Sequence, residues 1–100
     1  MLRITFEDKN DAFVVKLEGR LAGLWAAELG RLWAEKAQLA AQKKLTLDLR
    51  ETTFADADGI RILRKIYSQT GTTILADTPW AQYLAEEVAG HNNEEPNAEV

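Results

Sequence analysis

The sequence predicts an α/β domain: a mixed four-stranded sheet with its helices on one face, in the order β-β-α-β-α-β-α. Three observations carry this. Two runs near the start alternate apolar and polar residues across a short polar turn, the mark of a hairpin. After them, helical stretches alternate with single strands, which implies parallel pairing through right-handed crossovers. The strand Lys44–Arg50 keeps a strict alternation. A strand covered on both faces would read as a continuous apolar run, so the helices belong on one side and water on the other.

The elements follow in order. Leu2, Ile4 and Phe6 alternate with Arg3, Thr5 and Glu7, a half-buried strand. Asp8-Lys9-Asn10-Asp11 is turn material, and Phe13, Val15 and Leu17 then alternate against Val14, Lys16 and Glu18. Gly19 and Gly23 bracket a loop. From about Leu24 to Gln42 the chain is rich in Ala, Leu, Glu, Lys and Gln, and Trp25, Leu29, Leu32, Trp33 and Ala40 form an apolar stripe. Gly30 within that helix marks close packing or a weak spot. In Lys44–Arg50, Leu45, Leu47 and Leu49 point one way and Thr46 and Asp48 the other. A loop, Glu51 to Ala55, leads to a helix over about Ala57 to Thr70, with Ile62, Leu63 and Ile66 as its buried stripe and Gly71 at the C-terminal cap. Thr72 to Ala76 is a short strand. Thr78 caps the last helix with Pro79 at its first position, and Trp80, Tyr83, Leu84 and Val88 follow at helical spacing to Gly90. The domain is expected to span residues 1–90, with 91–100 an acidic, disordered tail.

Composition removes several classes of function. The 100 residues are 46% hydrophobic and 28% charged, an ordinary soluble globular balance. With no cysteine there is no disulfide framework and no thiolate nucleophile or metal ligand; a reducing compartment fits. His91 is the single histidine, so a multi-histidine metal site is ruled out and a catalytic triad has one candidate base. The formal charge is −4, but Glu94, Glu95 and Glu99 carry three of the acidic groups. Residues 1–90, with 12 basic and 13 acidic groups, have no general electrostatic reason to bind nucleic acid. No apolar run reaches the ~18–20 residues of a membrane span, and the first residues lack signal-peptide anatomy. There is no phosphate-binding glycine loop, so no cofactor is expected.

One stretch rises above this general pattern. Leu47-Asp48-Leu49 precedes Thr53-Phe54-Ala55-Asp56-Ala57-Asp58-Gly59-Ile60. It resembles the STAS family, the anti-sigma-factor-antagonist-like domains. Their pattern is an Asp between apolar strand residues, then a Thr/Ser-Phe-apolar-Asp-Ser turn continuing to Gly-Leu and opening a helix. Leu17-Glu18-Gly19-Arg20-Leu21 matches the family's early strand-to-loop stretch, and the element order agrees from Met1 to about Ala89. The resemblance implies a STAS-like (βα) superhelix that acts by binding rather than catalysis, cytoplasmic and bacterial. The implied partner is an anti-sigma factor or a serine-kinase-type switch protein in transcription regulation. The implied contact residues are Phe54, Asp56, Ala57, Asp58, Gly59, Ile60 and Arg61.

Two departures qualify the carry-over. The family's regulatory serine follows the motif Asp, where this chain has Ala57, a degenerate phosphosite without a hydroxyl. Many members also add a last strand and helix where this chain has the acidic tail. The turn has its own physics. A helix N-terminus offers unpaired N–H groups and positive potential, which Asp56 or Asp58 can cap and which would accommodate a phosphate. The plain alternative is a well-capped helix start and nothing more.

The remaining candidates each carry two readings. Phe54 is a core residue at a strand end or part of a contact surface, and Ile60, outside the buried stripe, has the better claim to exposure. Arg61, Arg64 and Lys65 are a solvated face or a site for an acidic partner or phosphate. Trp25 is core or rim. Two further roles stand beside the regulatory one: an accessory subunit of a lipid or anion transport system, and a weak homodimer or scaffold formed through an open sheet face or edge.

Overall fold

A computed structural model of the chain describes residues 1–68 and 72–90. The elements are β1 (Leu2–Asp8), β2 (Ala12–Leu21), α1 (Leu24–Ala40), β3 (Lys44–Ala55), α2 (Ala57–Tyr67), β4 (Thr73–Leu75) and α3 (Pro79–Ala89). The strands form one sheet in the order β1-β2-β3-β4. β1 and β2 pair antiparallel, as the hairpin pattern predicts. β2 with β3 and β3 with β4 pair parallel, because each pair is separated by a crossover helix. The mixed four-stranded sheet and the element order are those expected.

The two faces of the sheet differ as the alternation requires. Phe13, Val15, Leu17, Leu45, Leu47 and Leu49 are buried and share one core with Leu29, Trp33, Leu63, Ile66, Leu84 and Val88 of the helices. Each such large side chain contributes about 1.5–3 kcal/mol by leaving water. On the other face Val14, Lys16, Thr46, Asp48 and Arg50 line an open groove of about 440 Å³. Asp48 points there as expected, yet it is buried beneath Arg50, whose Nε and Nη2 donate to its two carboxylate oxygens (3.0 and 2.9 Å). That fork holds the Asp48 carboxyl below its ordinary range, against burial, which pushes it up.

Residues 51–55 are not a loop. β3 runs on to Ala55 and stays paired to β2 through Glu18↔Glu51, Gly19↔Thr52, Arg20↔Phe54 and Leu21↔Ala55, with two register irregularities absorbing the extra residues. The Thr52 hydroxyl donates to the Leu17 carbonyl (2.9 Å), a bond between residues 35 apart. The helices end sooner than composition implies. α1 closes where Ala41 N–H donates to Ala37 O, and α2 where Ser68 N–H donates to Arg64 O. Gly71, the expected cap, and the tail 91–100 lie outside the described residues.

The buried stripe of α1 keeps the expected Leu29, Trp33 and Ala40, with Ala26 buried in place of Trp25 and Leu32 half-buried. Trp25 is therefore at the rim, 37% exposed. Gly30 is a point of close approach: a methyl there would stand 3.0 Å from the Ile62 Cδ1. Ile62 is half-buried beside the fully buried Leu63 and Ile66.

Candidate functional site

The start of α2 is built by three neighbouring segments. Asp56 is its N-cap, in extended conformation, and its Oδ1 accepts the Gly59 N–H (2.8 Å). Its Oδ2 accepts the Gly23 N–H (3.0 Å), and Gly23 is the N-cap residue of α1. The Asp56 N–H donates to the Leu21 carbonyl at the end of β2 (3.2 Å). Asp56 thus ties the starts of both helices together through its carboxylate and to the sheet through its N–H. The Gly23 and Gly59 bonds hold its carboxyl below the ordinary aspartate range, Gly23 contributing most.

Gly59 sits where no side chain fits. A Cβ there would lie 2.5 Å from the Leu21 carbonyl oxygen and 2.9 Å from its Cγ. The glycine lets the first turn of α2 press against the end of β2. Gly23, at φ +59°, makes the sharp entry into α1 that aims its N–H at Asp56.

These bonds separate the motif residues by role. Asp56 and Gly59 position the turn, with Gly59 buried and both Asp56 oxygens engaged. Ile60 is half-buried and packed against the core, contrary to its expected exposure. Ile62, which also approaches Gly30, is half-buried against the same core. Ala57, Asp58 and Arg61 are exposed. Arg61 Nη1 bonds Asp58 Oδ1 across one helical turn (2.6 Å). Asp58 and Arg61, with Gly23, Ala26, Ala27 and Ile62, line a cleft of about 250 Å³ between the starts of α1 and α2.

The structure adds residues that the motif does not contain. Leu24 is 86% exposed at the first position of α1, and with Trp25 and Glu28 it lines a hollow of about 390 Å³. Phe54, 36% exposed, is not in the cleft. Its neighbour Ala55 is buried in the core, so the Phe54 ring turns to the opposite side of β3, beneath the Arg20 guanidinium at 4.4 Å. Arg64 leaves the cationic row altogether and reaches α3, its Nε donating to the Glu87 carbonyl (3.1 Å).

Among the described residues no group of three His, Cys, Asp or Glu is placed to hold a metal. No described helix is long and apolar enough to cross a membrane. The arrangement presents a helix N-terminus, a small cleft and flanking apolar side chains.

The fold is the STAS fold, the architecture of anti-sigma factor antagonists. The chain superposes on an anti-sigma factor antagonist from Mycobacterium paratuberculosis with a TM-score of 0.72 and 23% identity, over 94% of this chain and 82% of the other. It matches the anti-sigma factor antagonist SpoIIAA in its unphosphorylated form with a TM-score of 0.66 and 10% identity, over 98% of this chain and 100% of that one. No family model and no curated protein matches the sequence. At these identities the likeness defines the architecture, and function has to be argued from the site.

Proposed function

We propose that this protein is a non-enzymatic regulatory module of the anti-sigma-factor-antagonist kind. It binds an anti-sigma factor or serine-kinase-type switch protein in the cytoplasm through the exposed start of α2. The observation that supports this reading most is the exposed Ala57-Asp58-Arg61 face beside the cleft, on a turn braced from beneath by Asp56 and Gly59. A braced turn keeps its shape when a partner docks, which limits the entropic cost of association.

Ala57 holds the surface in one state. It is exposed at the first position of α2, where a serine hydroxyl would be open to a kinase, and its methyl takes no phosphate. Asp58 is a poor substitute for a phosphate charge, because Arg61 pairs with it at 2.6 Å. The surface is therefore the unphosphorylated kind, permanently competent to bind.

Ala57→Asp tests this without unfolding the helix, since a carboxylate in the first turn favours α2. Wild type and variant are used to capture partners from lysate of the source cell, and the captured protein is purified and titrated. The expected result is a kinase-like or anti-sigma protein whose affinity drops at least about tenfold with Ala57→Asp. Equal binding by both forms overturns the reading. So does capture of a transporter ATPase or permease in its place.

A further inference from the structure

β1 is an edge strand: it stands last in the sheet, paired to β2 on one side, and among the described residues no strand lies on its other side. The opposite edge, β4, is three residues long, whereas β1 has seven. A long open strand presents a row of unpaired N–H and C=O groups.

Which groups those are follows from the hairpin ladder. Lys9 N–H donates to Ala12 O (2.8 Å) and Arg20 N–H to Met1 O (3.2 Å). Residues 1 and 9 therefore both sit in hydrogen-bonded pairs with β2, and in an antiparallel ladder such pairs alternate. Arg3, Thr5 and Glu7 thus turn their backbone groups inward to β2. Leu2, Ile4, Phe6 and Asp8 turn theirs outward to the open edge. The side chains divide the same way: Phe6 stacks on the core residue Phe13 at 5.8 Å, while Arg3 reaches Glu18 on the open face at 3.9 Å.

We propose that β1 pairs antiparallel with β1 of a second copy of this chain, about a two-fold axis at Thr5, joining two sheets into one of eight strands. This register uses all seven residues. It sets Ile4 of one copy against Phe6 of the other on the helix-covered face, where both are half-buried against the core and a second copy covers their open flank. It sets Arg3 against Glu7 of the second copy on the open face, twice by symmetry. The Arg3–Glu7 pairs are non-hydrogen-bonded, and in such pairs facing side chains stand closest. Arg3 and Glu7 now make only loose exposed contacts, Arg3 to Glu18 at 3.9 Å and Glu7 to Lys9 at 3.6 Å. A slip of two residues one way sets Arg3 against Thr5. The opposite slip sets Arg3 against Lys9. The charges thus select the central register. Two seven-residue strands make a small interface, so the dimer is weak and reversible. It lies on a different edge from the α2 surface and stands or falls independently of the regulatory reading.

The test is sedimentation velocity of the full chain from about 5 to about 500 µM, the range where a weak interface shows itself. Residue-resolved amide exchange is measured at both ends of that range. The expected result is a reversible dimer, with the amides of Ile4, Phe6 and Asp8 gaining protection at high concentration while those of Thr5 and Glu7 change little. Arg3→Glu and Glu7→Arg should each weaken association at least about tenfold by setting like charges face to face. The double variant should restore it. A monomer throughout the range overturns the proposal. So does a dimer indifferent to both single variants, or one that the double variant fails to rescue.

Discussion

α2 and α3 begin with the same device and use it differently. Each has a polar N-cap in extended conformation whose side-chain oxygen accepts the N–H three residues on: Asp56 from Gly59 at 2.8 Å, Thr78 from Ala81 at 3.0 Å. At α3 the device stops there. The hydroxyl serves its own helix, Pro79 follows, and the Ala81 methyl fits into the core. At α2 the second carboxylate oxygen reaches Gly23, 33 residues away, and the corresponding third position must be glycine because Leu21 occupies the space of a methyl. One start ends a loop, whereas the other joins two helices and a strand. The difference teaches that a cap motif reports a helix boundary, while a surplus acceptor and a forbidden Cβ report a junction.

Gly59→Ala should break the comparison most strongly. The new methyl meets a backbone carbonyl that cannot step aside, and the melting temperature should fall by about 15 °C. Ala81→Gly, its counterpart in α3, should lower it by about 5 °C through lost helix propensity and burial. Calorimetry of both variants checks the contrast; equal losses would mean that Leu21 yields easily.

Asp56→Ala comes next, at about 10 °C, because it frees N–H groups in two helices. It should also raise amide exchange at Gly23 as well as Gly59. Thr78→Ala should cost about 5 °C and leave α1 and α2 unchanged.

pH sharpens the same contrast. The Asp56 carboxyl is held below its unfolded value, near 3.9, so its contribution is fully present above that pH and disappears as pH falls through the lower folded value. The stability gap between wild type and Asp56→Asn should therefore be constant near neutrality and close in strong acid. The gap for Thr78→Ala, whose hydroxyl does not titrate, should persist. Denaturant melts across that range read both.

Much of this was legible in the chain. The hairpin, the alternation of Leu45, Leu47 and Leu49, and the caps at Asp56 and Thr78 all act over a few residues and leave local patterns. Glu51 to Ala55 misled because its charged and hydroxyl residues read as a turn, and the pairing to β2 that makes it a strand is remote in sequence. Trp25 misled by size. The cleaner spacing of Ala26, Leu29, Trp33 and Ala40 was available, and following the period rather than the bulk would have put Trp25 at the rim. Leu24 has no such signal beyond lying off that stripe.

By itself the sequence determined the order of elements, the helix-bearing face of the sheet, where two helices start, and that position 57 carries no hydroxyl. These follow from backbone periodicity and from capping bonds that close within a turn. Only the tertiary structure decided that Asp56 braces α1 as well as α2, that Leu21 makes Gly59 obligatory, and that Phe54 is exposed while Ile60 is half-buried against the core. Each of these depends on the register by which β2 and β3 pair across a whole helix, and that register places residues more than thirty apart in contact.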